Sequence, residues 1–177
     1  MPEDTLPLSR IVRRDEVPES GLDVTLRPDG ETLVRIARFL AIPGVETLDA
    51  NLTVTRHGKA GLRVRGLVTG TVVQSCVVSL DPVEGTVSEE VDTIYAPEGS
   101  PVLHIELTVE ELASEESDLE PMIDGSIDLG GLVMEHLALG LDPYPRKPGT
   151  AFEAIEEDVG RESPFAKLAR LKSEGEA

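Results

Sequence analysis

The sequence predicts an α+β domain: an antiparallel β-meander, or a partly closed barrel, with two main helices and a short C-terminal helix. Three observations lead there. From Thr47 to Ala96 apolar and polar residues alternate in three consecutive runs joined by short turns, the pattern of half-buried strands. Two stretches, 31–42 and 126–141, instead space their apolar residues at helical intervals behind an aspartate. Nothing in the order of elements suggests repeated parallel crossover units.

Near the start, "LPLSRIV" reads as a short extended segment followed by a polar connection. "LDVTL", Leu22 to Leu26, alternates like a strand. The turn "RPDG" places Asp29 to cap "ETLVRIARFLAI", whose stripe is Leu33, Ile36, Ala37 and Leu40. Pro43 and Gly44 stop that helix. Thr47 to Arg56 is the next strand, with Leu48, Ala50, Leu52 and Val54 on one side.

After the turn "HGKAG", "LRVRGLVTGTVVQSCVVSL" reads as one long strand, bent or bulged at Gly66 or Gly70. Its parity puts Val68, Val72, Cys76, Val78 and Leu80 on one face, so the single cysteine is expected in an apolar layer. No basic neighbour is visible there to activate a thiol. "VEGTVSEEVDTIYA" is the third run, and "VLHIEL" a further short strand.

An acidic loop is expected near 108–126, although Thr108 and Glu111 have capping-box spacing. "SIDLGGLVMEHLALGL" is the second main helix, capped by Asp128, with Leu129, Leu132, Val133, His136 and Leu137 in its stripe. Its Gly130–Gly131 pair lowers helix propensity and marks close packing. "DPYPRKPG" ends it. Residues 1–149 thus form a single domain. Residues 150–177 are read as a linker and a short helix, with Ser163 as cap and Phe165 and Leu168 as apolar anchors that dock on a partner or pack back on the domain.

The charge is unevenly spread. Residues 1–65 hold ten acidic and ten basic residues, whereas residues 66–145 hold seventeen acidic residues and no Lys or Arg. The anionic middle either keeps the protein solvated or receives a basic partner. The basic residues Arg56, Lys59, Arg63 and Arg65, joined by Arg10, Arg13 and Arg14, form a candidate contact for RNA or a partner. With three Phe, two Tyr and no Trp, base-stacking platforms are not expected.

Catalytic and metal motifs are missing from the pattern. His57, His104 and His136 fall in a turn, a strand and a helix, and one cysteine allows neither a disulfide framework nor a thiolate zinc knuckle. There is no phosphate loop and no nucleophile elbow. The acidic neighbours 89–90, 110–111 and 115–116 read as solvated faces. No cofactor, no metal and no enzymatic activity are expected. The first residues lack the apolar core of a signal peptide, and no run approaches the roughly 18 apolar residues of a membrane span. A cytoplasmic protein without membrane or DNA contact is expected.

The order of motifs carries a family resemblance. "GLVTGTVVQSCVVSLDPVEGTVSEEV" followed by "GSIDLGGLVMEHLALGLDPYPRKPG" resembles the YceD family of large ribosomal RNA subunit accumulation proteins. The matching positions are Cys76, Asp81, Pro82, Asp128 and Leu129, and the terminal "SPFAKLARLK" is similar to the ending of one bacterial branch. The resemblance implies a non-enzymatic factor for large-subunit biogenesis. Its implied partners are large-subunit ribosomal RNA or its precursor, and/or a basic ribosomal protein; an acidic chaperone without RNA contact is the alternative. Many members carry C-x-x-C at this strand and further cysteines after the IDL helix, a plausible metal set. Here Ser79 stands at the second position, and "DPYPRKPG" has no cysteine.

Overall fold

The computed structural model describes residues 6–100 and 118–151. In chain order the elements are β1 (Ile11–Arg13), a 3-10 turn (Arg14–Glu16), β2 (Leu22–Leu26), α1 (Gly30–Phe39), β3 (Gly44–His57), β4 (Gly61–Ser75), β5 (Pro82–Pro97), β6 (Asp118–Met122), β7 (Ser126–Asp128) and α2 (Leu129–Leu139). A five-stranded sheet has the order β2-β3-β4-β5-β6, and β1 pairs with β7 in a separate two-stranded sheet. The four strands β2 to β5 form the expected antiparallel meander. β6 joins in parallel, Thr93 opposite Asp118 through Pro97 opposite Met122. The sheet stays open among the described residues, so the partly closed barrel is not what forms.

Alternation decides which face is covered. Leu48, Ala50, Leu52 and Val54 of β3, Val64, Val68 and Val72 of β4, and Val87 and Val91 of β5 are buried together. Both helices pack over that face: α1 contributes Ile36 and Ala37, and α2 contributes Leu129, Leu132, Val133 and Leu137. The opposite face is a polar ladder. There Thr53 Oγ1 donates to Asp23 (2.7 Å) and Thr25 Oγ1 to Asn51 (3.1 Å), cross-strand pairs that suit a wet surface.

Both helix starts form as their sequences predict. The Asp29 carboxylate accepts the Thr32 N–H at 2.8 Å, and that bond holds its carboxyl below the usual range. The Asp128 carboxylate accepts two N–H groups, from Gly130 at 2.9 Å and from Arg10 at 2.7 Å. One side chain thus caps α2 and anchors the segment entering β1. A Cβ at Gly130 would lie 2.5 Å from Ser9 Cα and 2.6 Å from the Leu8 carbonyl, so the glycine exists for close approach.

Three expectations need correction. β4 ends at Ser75 rather than running to Leu80, and residues 77–79 form a turn. The register of β3 and β4 is continuous through Gly66 and Gly70; the irregularity lies on β3, between Val45 and Thr47. Those two glycines serve contact instead, since a Cβ would come within 2.0 Å of the Asn51 carbonyl at Gly66 and 2.9 Å of the Thr47 carbonyl at Gly70. The acidic loop near 108–126 contains β6, whose Pro121 is tolerated at a sheet edge. The strand over 102–107 and the C-terminal helix with Phe165 and Leu168 lie outside the described residues.

Candidate functional site

The turn between β4 and β5 is held by bonds that reach far along the chain. Inside it, Cys76 N–H donates to the Asp81 carbonyl (2.8 Å) and Leu80 N–H to the Cys76 carbonyl (3.0 Å). The segment after α2 then crosses it. Gln74 Nε2 donates to the Asp142 carbonyl (2.9 Å), and Val77 N–H donates to the Pro145 carbonyl (2.9 Å). Lys147 Nζ reaches Asp81 at 2.9 Å, which lowers the Asp81 carboxyl below its ordinary value. Pro82 opens β5 directly behind this turn.

Cys76 sits at the centre of these contacts, fully buried. Its Sγ accepts N–H groups from Lys147 and Ser79, each at 3.4 Å, with Thr150 Oγ1 at 3.8 Å. The Lys147 N–H first, then the Ser79 hydroxyl and N–H, favour the thiolate and lower the thiol to about 6. Burial of this cysteine is what its strand parity predicts, but the hydrogen-bond donors around its sulfur are not. Alternation extrapolates smoothly through "SCVVSL", but the turn rotates Cys76 toward backbone donors and leaves Leu80 in the left-handed region at φ 61°.

The donor that lies beside the thiol is the backbone N–H of Lys147, brought from 71 positions away, while the ammonium of that residue pairs with Asp81. Nothing local in the sequence pairs Cys76 with Lys147. The one signal is that each lies within one of the two segments that carry the family resemblance.

The cysteine set that the family resemblance implies raises the question of a metal. The residues present do not fit one. The positions around Cys76 Sγ are hydroxyls and backbone N–H groups, and the sulfur's lone pairs already receive hydrogen bonds. Among the described residues no three His, Cys, Asp or Glu side chains gather at one point.

The cationic candidates divide into two groups. Arg63 holds Asp92 with two bonds of 2.7 Å, and Arg65 Nε reaches the same carboxylate at 3.1 Å. The Arg63 contact, then the charge of Arg65, keeps the Asp92 carboxyl low. Two guanidinium groups thus share one carboxylate on this part of the open face. The second group gathers at the tip joining β3 to β4. There Arg14 Nη2 donates to the Lys59 carbonyl (2.8 Å) and Arg56 Nε to the Val17 carbonyl (2.8 Å). Sequence reasoning missed Asp92, which sits opposite Arg65 in the β4–β5 register.

Asp128 and Leu129 have structural places, as the α2 cap and as a fully buried core side chain. No described helix is long and apolar enough to cross a membrane.

Comparison with known proteins gives one match. No curated protein and no solved structure matches the chain. The profile of the family described as "Large ribosomal RNA subunit accumulation protein YceD" matches residues 64–172. That span covers more than half of the chain, from near the start of β4 across the clasped turn, β5, β6, β7 and α2. By that match, the chain belongs to the YceD family.

Proposed function

We propose that the protein is a non-enzymatic factor of large ribosomal subunit biogenesis that supports the accumulation of large-subunit ribosomal RNA. Family membership over residues 64–172 is the observation that carries this reading. It acts in the bacterial cytoplasm by binding, with large-subunit ribosomal RNA or its precursor, and/or a basic ribosomal protein, as the partner. Charge supports the protein partner. Residues 66–145 carry seventeen carboxylates and no Lys or Arg, and a phosphate backbone is repelled by such a surface.

The test is the ratio of large- to small-subunit ribosomal RNA in a strain lacking the gene. A selective fall, restored by the wild-type gene, supports the reading, and an unchanged ratio contradicts it.

A second reading is an acidic chaperone for a basic ribosomal protein with no RNA contact. The sharing of Asp92 by Arg63 and Arg65 favours it, because the pairing weakens the phosphate affinity of that strand face. Association that survives nuclease and weakens with salt distinguishes it from direct RNA binding.

A further inference from the structure

We infer that the outer edge of β5, with the apolar tip beside it, is the docking strip for an extended Lys/Arg-rich protein segment that adds to the sheet as a strand. The inference rests on the proposed function and deepens it by naming the partner's chemistry. Among the described residues, β5 from Pro82 to Asp92 has a strand neighbour only on the β4 side, because β6 covers Thr93–Pro97 alone. A strand edge of that length presents unpaired N–H and C=O groups that another strand completes.

Charge selects the occupant. Between Val83 and Val91 the strand carries Glu84, Glu89 and Glu90 and no basic residue. Glu84 and Glu90 are exposed on the open face. A second copy meeting this edge brings carboxylates against carboxylates, an unfavourable cross-strand pairing. Residues 101–117 contain five Glu and no Lys or Arg, so a Lys/Arg-rich segment is the better charge match for this edge. RNA is excluded on the same ground. A strand bearing Lys or Arg is attracted.

The tip supplies anchoring. Leu80 is 77% exposed, Tyr144 is 71% exposed, and Val77 is about half exposed. Leu80 also occupies a left-handed backbone conformation that a leucine rarely adopts. The bonds from Cys76, Pro145 and Lys147 fix this turn, yet it points its apolar side chains at water. Rigid, exposed apolar groups beside an open edge are preorganised for a partner.

The test uses the full-length protein with the photo-crosslinking residue p-benzoylphenylalanine in place of Ser88, an exposed edge position. Two probes are offered separately: total protein extracted from purified large ribosomal subunits, and deproteinised large-subunit ribosomal RNA. The expected result is a crosslink to a Lys/Arg-rich segment of a ribosomal protein. Its yield should fall at least tenfold with Glu84→Lys plus Glu90→Lys, and likewise with Leu80→Asp, while melting temperatures stay within a few degrees of wild type.

Crosslinks to residues 101–117, to a second copy or to RNA alone overturn the inference. So does an unaltered yield in the charge-reversed protein. Failure of the strip and failure of the function separate in the deletion strain. If the wild-type gene and the charge-reversed gene restore the ribosomal RNA ratio equally, the strip is wrong and the function stands. If the deletion leaves the ratio unchanged, the function falls.

Discussion

The backbone N–H of Lys147 donates to Cys76 Sγ at 3.4 Å, while the ammonium of the same lysine holds Asp81 at 2.9 Å. One residue after α2 thereby ties down both ends of the β4–β5 turn. The thiolate is favoured by donors fixed in the fold, and the unfolded chain has no such donors.

This pairing gives stability a signed pH dependence. The folded Cys76 thiol, at about 6, lies below its unfolded value of roughly 8.5. Between these limits the unfolded chain binds more protons, so the contribution grows as pH rises. It is complete above the unfolded value and lost as pH falls through about 6. Denaturant unfolding of wild type and Cys76→Ser at several pH values from 5 to 9 checks this. The difference between them should widen with rising pH, and a constant difference would show that the thiol does not titrate as its contacts require.

Gly130 and Gly131 should respond oppositely to alanine. Alanine at either helix position gains about 1 kcal/mol of intrinsic propensity. At Gly130 the new Cβ meets backbone at 2.5 Å, and the net result should be a loss of about 1–3 kcal/mol with weakened β1–β7 pairing. At Gly131 the nearest atom is Leu6 Cδ1 at 3.2 Å, a side-chain end that can move, and the change should be neutral or stabilising. Paired denaturant melts decide the matter.

These glycines also show what a sequence exposes and what it hides. Asp29, Asp128 and the Gly130–Gly131 pair were legible because capping and helix crowding are local, or leave a local cost. Strands Leu22–Leu26 and Thr47–Arg56 were legible because the buried side keeps a strict period of two. Cys76 is buried as its parity predicts, whereas Leu80, assigned to the same face, is exposed, because the alternation runs on through a turn in which the backbone no longer alternates. Lys147 and Asp92 were invisible as partners because their contacts depend on sheet register and on the crossing after α2. β6 was hidden by Pro121 and by acidic residues that resemble a solvated loop.

The shared carboxylate ranks the two arginines. Arg63 makes two bonds to Asp92 with its side chain 25% exposed, whereas Arg65 makes one with its side chain 60% exposed. Thermal melts should show Arg63→Ala lowering the melting temperature more than Arg65→Ala, whose pair is screened by water. In the Arg63→Ala protein the Asp92 carboxyl should titrate higher, by NMR, than in Arg65→Ala. Equal effects of the two substitutions would contradict the bidentate geometry.

Metal removal should change nothing in the turn. Hydrogen bonds and the Lys147–Asp81 pair occupy the surroundings of Cys76, so dialysis against EDTA should leave the melting temperature unaltered. Elemental analysis should find well under one zinc per chain. A stoichiometric metal lost on Cys76→Ala would contradict the bonding described here.

The most direct measurement of the central claim is the ratio of large- to small-subunit ribosomal RNA in a deletion strain, compared with that strain carrying the wild-type gene. The predicted result is a selective deficit of large-subunit RNA that the gene restores. A ratio equal to wild type, with normal subunit profiles, would contradict a role in large-subunit RNA accumulation.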